Sequence, residues 1–174
     1  MPLNVEIKAR CPELEPLRAR LAALKARFVG TDLQEDTYFH VPHGRLKLRE
    51  GRIENHLIHY LRPDRAEAKP SEVTLLPAEP GSPLKALLGK ALGVWQVVRK
   101  RREIYFIDDV KFHLDEVDGL GTFVEIEAIA WDGEKDEAAL RRQCLAFMEA
   151  LGIARETLVE GSYSDLLLEN GSPS

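Results

Sequence analysis

The sequence predicts an α+β protein: a largely antiparallel sheet of seven or eight strands, with amphipathic helices packed against its outside. Eight such strands are enough to close a barrel. Three observations carry this. Apolar and polar residues alternate strictly in one stretch after another, first in LNVEIKAR, where Leu3, Val5, Ile7 and Ala9 interleave with Asn4, Glu6, Lys8 and Arg10. Most of these stretches are joined by turns too short for a parallel crossover. Two other segments repeat their apolar residues at helical spacing.

The elements follow in order. After the first strand, CPELEPLRARLAALKARF places Leu14, Leu17, Leu21, Leu24 and Phe28 on one helical face, with Gly30 as the stop. DTYFHV and RLKLREG read as strands joined by a PHG turn, and RIENHLIHYLRPD supports one or two more. RAEAKPSEVTLLPAEPGSP mixes a loop, a short strand and a Pro/Gly break, and LKALLGKALG is a short helix. WQVVRKRREIYFI, VKFHLDEV and TFVEIEAIAW are three long strands joined by DD and DGLG. EKDEAALRRQCLAFMEALGI is a second amphipathic helix with Leu140, Cys144, Phe147, Met148 and Leu151 on its apolar face, and SYSDLLLEN is a last short helix.

The alternation repeats a chemistry as well as a period. Lys47 and Arg49 share one face of RLKLREG; Lys111, His113 and Asp115 share one face of VKFHLDEV; Glu125 and Glu127 share one face of TFVEIEAI. In VVRKRREIYF the bases run from Arg99 to Arg102, so both faces receive charge. If the apolar faces pack under the helices, the charged faces look either at water, as in an open two-layer sheet, or at one another in a barrel lumen. A lumen holding so many charges requires acids paired with bases and a charged ligand to neutralise the excess. Glu6, Asp115, Glu125 and Glu127 supply acid; Lys8, Arg10, Lys47, Arg49, Arg62, Lys100 and Arg102 supply base. That combination suits a polyphosphate held through hard divalent cations, which take carboxylate oxygens while the bases take phosphate oxygens.

Other classes fit less well. A chain of 174 residues, 44% hydrophobic, is long enough to bury a core as one globular unit, 1–174. No apolar run approaches ~20 residues and the N-terminus has no signal-peptide core, so no membrane association and a cytoplasmic location are expected. A net charge of −5 argues against nucleic acid as partner, and Glu103 next to RKRR argues the same. Cys11 and Cys144 read as packing residues. The His40/His43 and His56/His59 pairs have an H-x-x-H spacing but no acidic or cysteine partners in pattern, so they read as strand and turn residues. There is no Gly-rich phosphate loop and no Ser-His-Asp constellation.

These motifs resemble those of the CYTH superfamily, which takes in class IV adenylyl cyclases, thiamine triphosphatases and inorganic triphosphatases, together called triphosphate tunnel enzymes. VEIK matches the second half of the family's Glu-x-Glu-x-Lys through Glu6 and Lys8, while Asn4 stands where the first Glu is expected. LKLR supplies Lys47 and Arg49, YLRP supplies Arg62, and VRKRREIY supplies Lys100 and Arg102. LDEVDGLGTFVEIE carries Asp115, Glu125 and Glu127, and SYSDLL is similar to the end of bacterial cyclase-like members. The resemblance implies a closed eight-stranded antiparallel barrel, with Mg²⁺ or Mn²⁺ at Glu6, Glu125 and Glu127. It implies phosphates on Lys8, Lys47, Arg49, Arg62, Lys100 and Arg102, and catalytic roles for Asp115 and Lys8. Asn4, Arg10 and His113 are further candidates. The reaction implied is conversion of ATP to cyclic AMP and pyrophosphate. The alternatives are hydrolysis of inorganic, nucleoside or thiamine triphosphate, and non-catalytic binding of a triphosphate or polyphosphate. The expected partner is a small-molecule triphosphate, and the expected assembly a monomer or homodimer.

Overall fold

The computed structural model describes residues 3–61, 69–131 and 133–171. Its strands are β1 (Leu3–Arg10), β2 (Arg27–Phe39), β3 (Arg45–Glu50), β4 (His56–Leu61), β5 (Lys69–Pro77), β6 (Val94–Ile107), β7 (Val110–Val117) and β8 (Gly121–Ala130). The helices are α1 (Glu15–Ala23), α2 (Leu84–Leu92), α3 (Glu137–Ala150) and α4 (Tyr163–Gly171). Strands neighbour one another in the closed order β1-β5-β4-β3-β2-β6-β7-β8, every pair antiparallel. The seam between β8 and β1 runs unbroken from Leu3 opposite Ala130 to Arg10 opposite Phe123, so the sheet is a barrel and not an open layer.

Closure gives each strand an outer and an inner face, and the sequence alternation is divided between them. Outside, Val5, Ile7 and Ala9 of β1, Phe112 and Leu114 of β7 and Ile126 of β8 are buried under Leu17 and Leu21 of α1, under Leu140 and Cys144 of α3 and under Leu151, which follows it. Each of the Val, Leu, Ile and Phe side chains among them contributes about 1.5–3 kcal/mol when fully buried. Helix α3 starts where Asp136 caps it, its carboxylate accepting from the Ala139 amide at 2.7 Å. Glu103, on the outer face of β6, is buried and held by the Arg18 Nε of α1 at 2.9 Å, while its neighbours Arg99 and Arg101 on the same face are exposed.

Two elements differ from the expectation. The first helix stops at Ala23, because Lys25 adopts a left-handed conformation (φ 58°) and the chain turns directly into β2. Phe28 therefore leaves the helical face predicted for it and lies on Tyr105 of β6, ring centroids 4.9 Å apart. The last helix, α4, does not decorate the outside. Its Tyr163 and Leu166 enter a second apolar cluster with Tyr38, Val98, Val117 and Phe123, stopping one end of the barrel.

Candidate active site

The interior of the barrel holds a cavity of about 130 Å³. Of the residues expected there, Asn4, Glu6, Lys8, Lys47, Arg49, Lys100, Arg102, His113, Glu125 and Glu127 line it. Asp115 lies beneath the lining with no exposed surface. Arg10 falls at the stopped end, exposed, its guanidinium 5.1 Å from the Phe123 ring centroid. Arg62 lies outside the described residues. Lys100 and Arg102 point inward while Arg99 and Arg101 point out, which is how one strand accommodates four consecutive bases.

Three of the bases converge on one acid. Asp36, on β2 opposite Arg49 of β3, accepts two bonds from the Arg49 guanidinium at 2.9 and 2.8 Å. It also accepts from Lys100 Nζ at 2.8 Å and pairs with Lys47 Nζ at 3.2 Å. Burial works to raise the Asp36 pKa, but Arg49, Lys100 and Lys47 outweigh it and hold the carboxyl well below its ordinary range. Burial, aided by Arg49, Arg102 and Lys47, pulls the Lys100 ammonium down to about 7 even though Asp36 supports it.

A second network fills the adjoining wall. Arg102 forks onto Asp115 at 2.7 and 2.6 Å and reaches Glu125 at 3.0 Å. The Tyr163 hydroxyl donates to Asp115 at 2.7 Å, tying α4 to the same acid. Lys8 lies 3.6 Å from Glu125, donates to the Gly161 carbonyl at 3.1 Å and sits 4.1 Å from the Tyr163 ring centroid. His113 Nδ1 is 3.0 Å from Glu125. Burial and then Arg102 depress the His113 pKa, so the imidazole is neutral and its Nδ1–H donates to the carboxylate.

Toward the other end lies an oxygen-rich patch. Glu6 of β1 stands directly opposite Glu127 of β8, which in turn faces Lys111 of β7. The Asn4 amide donates to Glu127 Oε1 at 3.2 Å, leaving its buried Oδ1 without a hydrogen-bond partner among the described residues. Two carboxylates face to face on a lumen wall, with an orphaned carbonyl oxygen beside them, are the donor chemistry of a hard divalent cation. Among the described residues no group of three or more His, Cys, Asp or Glu side chains is placed to hold a metal ion. Glu125 is engaged instead by Arg102, His113 and Lys8.

Several residues of this interior had no role assigned from the sequence. Glu54, in the loop after β3, lies 2.6 Å from Lys111 and so bridges the mouth of the barrel to β7. Asp32 holds that loop, accepting from the amides of Arg52, Ile53 and Glu54 at 2.7, 3.0 and 2.9 Å. Asp36 lay in DTYFHV, which reads as a strand but lacks the strict apolar/polar alternation that marks an inward face, and Glu54 had no signal, because a loop carries no period. Tyr163 had only a helix pattern, which does not say that the helix would stop a barrel.

A closed antiparallel barrel whose lumen is lined by bases, carboxylates and an oxygen patch defines a triphosphate-tunnel fold. The chain belongs to the CYTH domain family, whose model matches residues 2–163. Enzymes of this tunnel type are generally dependent on divalent metal. A Methanocaldococcus jannaschii protein provisionally named an adenylate cyclase is 28% identical over 175 residues, covering 94% of this chain and 98% of its own. Adenylate cyclase CyaB of Aeromonas hydrophila is 29% identical over 176 residues, covering 94% of this chain and 87% of its own. The PH1012 protein of Pyrococcus horikoshii has the same fold, with a TM-score of 0.78 at 24% identity over 94% of this chain and 98% of that one. So does a Hippeastrum protein described as a candidate adenylyl cyclase with a dominant triphosphatase activity, at TM-score 0.60 and 15% identity over 100% of this chain and 98% of that one. No helix among the described residues is long and apolar enough to cross a membrane.

Proposed function

We propose that the chain is a divalent-metal-dependent enzyme that converts ATP to cyclic AMP and pyrophosphate. One observation carries the triphosphate reading: Lys8, Lys47, Arg49, Lys100 and Arg102, from three different strands, present their cationic ends to one small lumen. The two relatives named as adenylate cyclases support the choice of reaction. Lys47, Arg49 and Lys100 grip the phosphate oxygens, Arg49 through its planar fork and the lysines as point charges. Arg102 and Lys8 add positive potential from the adjoining wall. The ribose 3′-oxygen attacks the α-phosphorus, a new P–O bond forms, and the bond from that phosphorus to the bridging oxygen breaks. The charge that develops on the departing pyrophosphate falls among fixed cations that need not reorganise. The 3′-hydroxyl proton leaves to solvent.

Glu6, Glu127 and the Asn4 carbonyl oxygen are the groups that would hold Mg²⁺ or Mn²⁺, with Glu125 joining if it releases Arg102. Such an ion supplies charge neutralisation and orientation of phosphate oxygens. The test is turnover of ATP and of tripolyphosphate with each metal, products resolved by chromatography. Cyclic AMP and pyrophosphate are expected from ATP. Inorganic phosphate without cyclic AMP would replace the cyclase by a triphosphate hydrolase, and binding without turnover would leave a triphosphate-binding protein.

A further inference from the structure

We propose that Asp36 is the positioning residue of the phosphate subsite: an internal carboxylate that keeps Arg49, Lys47 and Lys100 converged on the lumen and favours the proton on Lys100 without fixing it there, so that triphosphate binding is linked to proton uptake at Lys100. The inference rests on the reading of the lumen as a triphosphate site.

The geometry is specific. Asp36 is 1% exposed and accepts from Arg49 at 2.9 and 2.8 Å and from Lys100 at 2.8 Å, with Lys47 at 3.2 Å. Three cations on one anion leave the cluster with net positive charge. They also leave donor capacity on each base, since an ammonium has three protons and a guanidinium five. The side chains are held together independently of the substrate, so the entropy of gathering them is not charged to binding.

Lys100 is the member whose charge can change. It faces Asp36 from β2, Lys47 and Arg49 from β3, Arg102 on its own strand, and the Tyr163 ring of α4 with its centroid 6.0 Å away. Desolvation and three neighbouring cations work against its proton, Asp36 alone of these works for it, and the balance falls at about 7. A bound polyanion adds negative charge beside it and draws the proton on. Above that value each triphosphate that binds must bring a proton to Lys100, so affinity falls by up to about tenfold per pH unit.

Binding of tripolyphosphate alone to the full chain, followed by calorimetry in two buffers of different ionisation enthalpy between pH 6 and 9, reads both affinity and proton uptake. The wild type is expected to take up close to one proton above pH 7.5, with affinity falling in step. Lys100→Arg, whose charge does not titrate, is expected to lose that uptake and to keep only the pH dependence that comes from the polyanion's own ionisation. Asp36→Asn is expected to move the onset of uptake to lower pH and to weaken binding at neutral pH. Asp36→Glu, which keeps the charge, is expected to restore both in part. If the wild type does not bind tripolyphosphate, the triphosphate reading itself falls. If it binds but Lys100→Arg retains the same uptake, or a folded Asp36→Asn keeps the wild-type pH profile, the inference falls alone. Should Asp36→Asn fail to fold, the Lys100→Arg comparison decides.

Discussion

Replacing Asp115 separates a positioning role from a chemical one. Asp115 has no exposed surface, and both of its oxygens are engaged, by two bonds from Arg102 at 2.7 and 2.6 Å and by the Tyr163 hydroxyl at 2.7 Å. Asp115→Ala leaves Arg102 with Glu125 at 3.0 Å as its remaining partner and leaves the buried Tyr163 hydroxyl without its acceptor. Removing one partner of a buried ion pair costs about 3–5 kcal/mol. For a chain of this size each kcal/mol moves the melting temperature by about 2–4 °C, so a fall of roughly 6–20 °C is expected. Asp115→Asn keeps one acceptor oxygen and should lose less. Thermal melts followed by circular dichroism measure this, with tripolyphosphate added in parallel. The polyanion should narrow the gap by meeting the charge freed on Arg102. A variant that melts within ~2 °C of wild type, inside the shift of a single kcal/mol, yet has lost turnover would refute the reasoning and put Asp115 at the reacting atoms.

Further expectations concern the metal patch and the charge balance. Glu127→Gln should abolish metal-dependent turnover and weaken Mn²⁺ binding, read by electron paramagnetic resonance, without lowering the melting temperature; retained Mn²⁺ binding would remove Glu127 from the ligand set. Asn4→Glu adds a third carboxylate beside Glu6 and Glu127, so it should destabilise the metal-free protein and lower the metal concentration for half-maximal activity; if neither changes, Asn4 lies outside the site. Tripolyphosphate at a hundredfold excess over its Kd should raise the melting temperature by roughly 5–11 °C through mass action, and an unmoved melt would count against the tunnel as its site. The Asp36 carboxyl titrates below its unfolded value of 3.8, so its stabilisation is fully present above that pH and disappears as pH falls through the folded value. The part of the stability gap between wild type and Asp36→Asn in urea that comes from the Asp36 charge itself should therefore be lost only below about 3.8.

The barrel was legible in the sequence because its two faces have opposite chemistry. Alternation of period two in LNVEIKAR, RLKLREG, VKFHLDEV and TFVEIEAI separates Val5, Leu48, Phe112 and Ile126 from Glu6, Lys47, His113 and Glu125, and the structure places these sets on opposite sides of the wall. Alternation alone does not close a sheet. The open layer and the lumen were equal on pattern, and the β8–β1 seam decides between them. What the pattern could not supply was pairing across the lumen. Glu125 and Glu127 are two residues apart on one face, yet one is bound to Arg102, His113 and Lys8 while the other meets Asn4. Their difference comes from which strands stand beside them at each height, and that is set by register and tilt.

The arrangement divides stability from function by the wall of the barrel. Outside, apolar side chains under α1 and α3 supply favourable burial without any need for precise partners. Inside, Asp36, Asp115 and Glu125 are desolvated together with their bases, and such pairs recover little of the desolvation they require. Apolar replacement of a whole lumen cluster would then be neutral or stabilising, whereas replacement of one member would not be. A chain selected for stability alone would have no reason to keep Asp36 with three cations around it. The cluster makes physical sense when its excess positive charge is met by something that enters, because a polyanion both neutralises the lumen and finds donors already in place. The outer core thus carries the energetic burden of an interior arranged for the bound state.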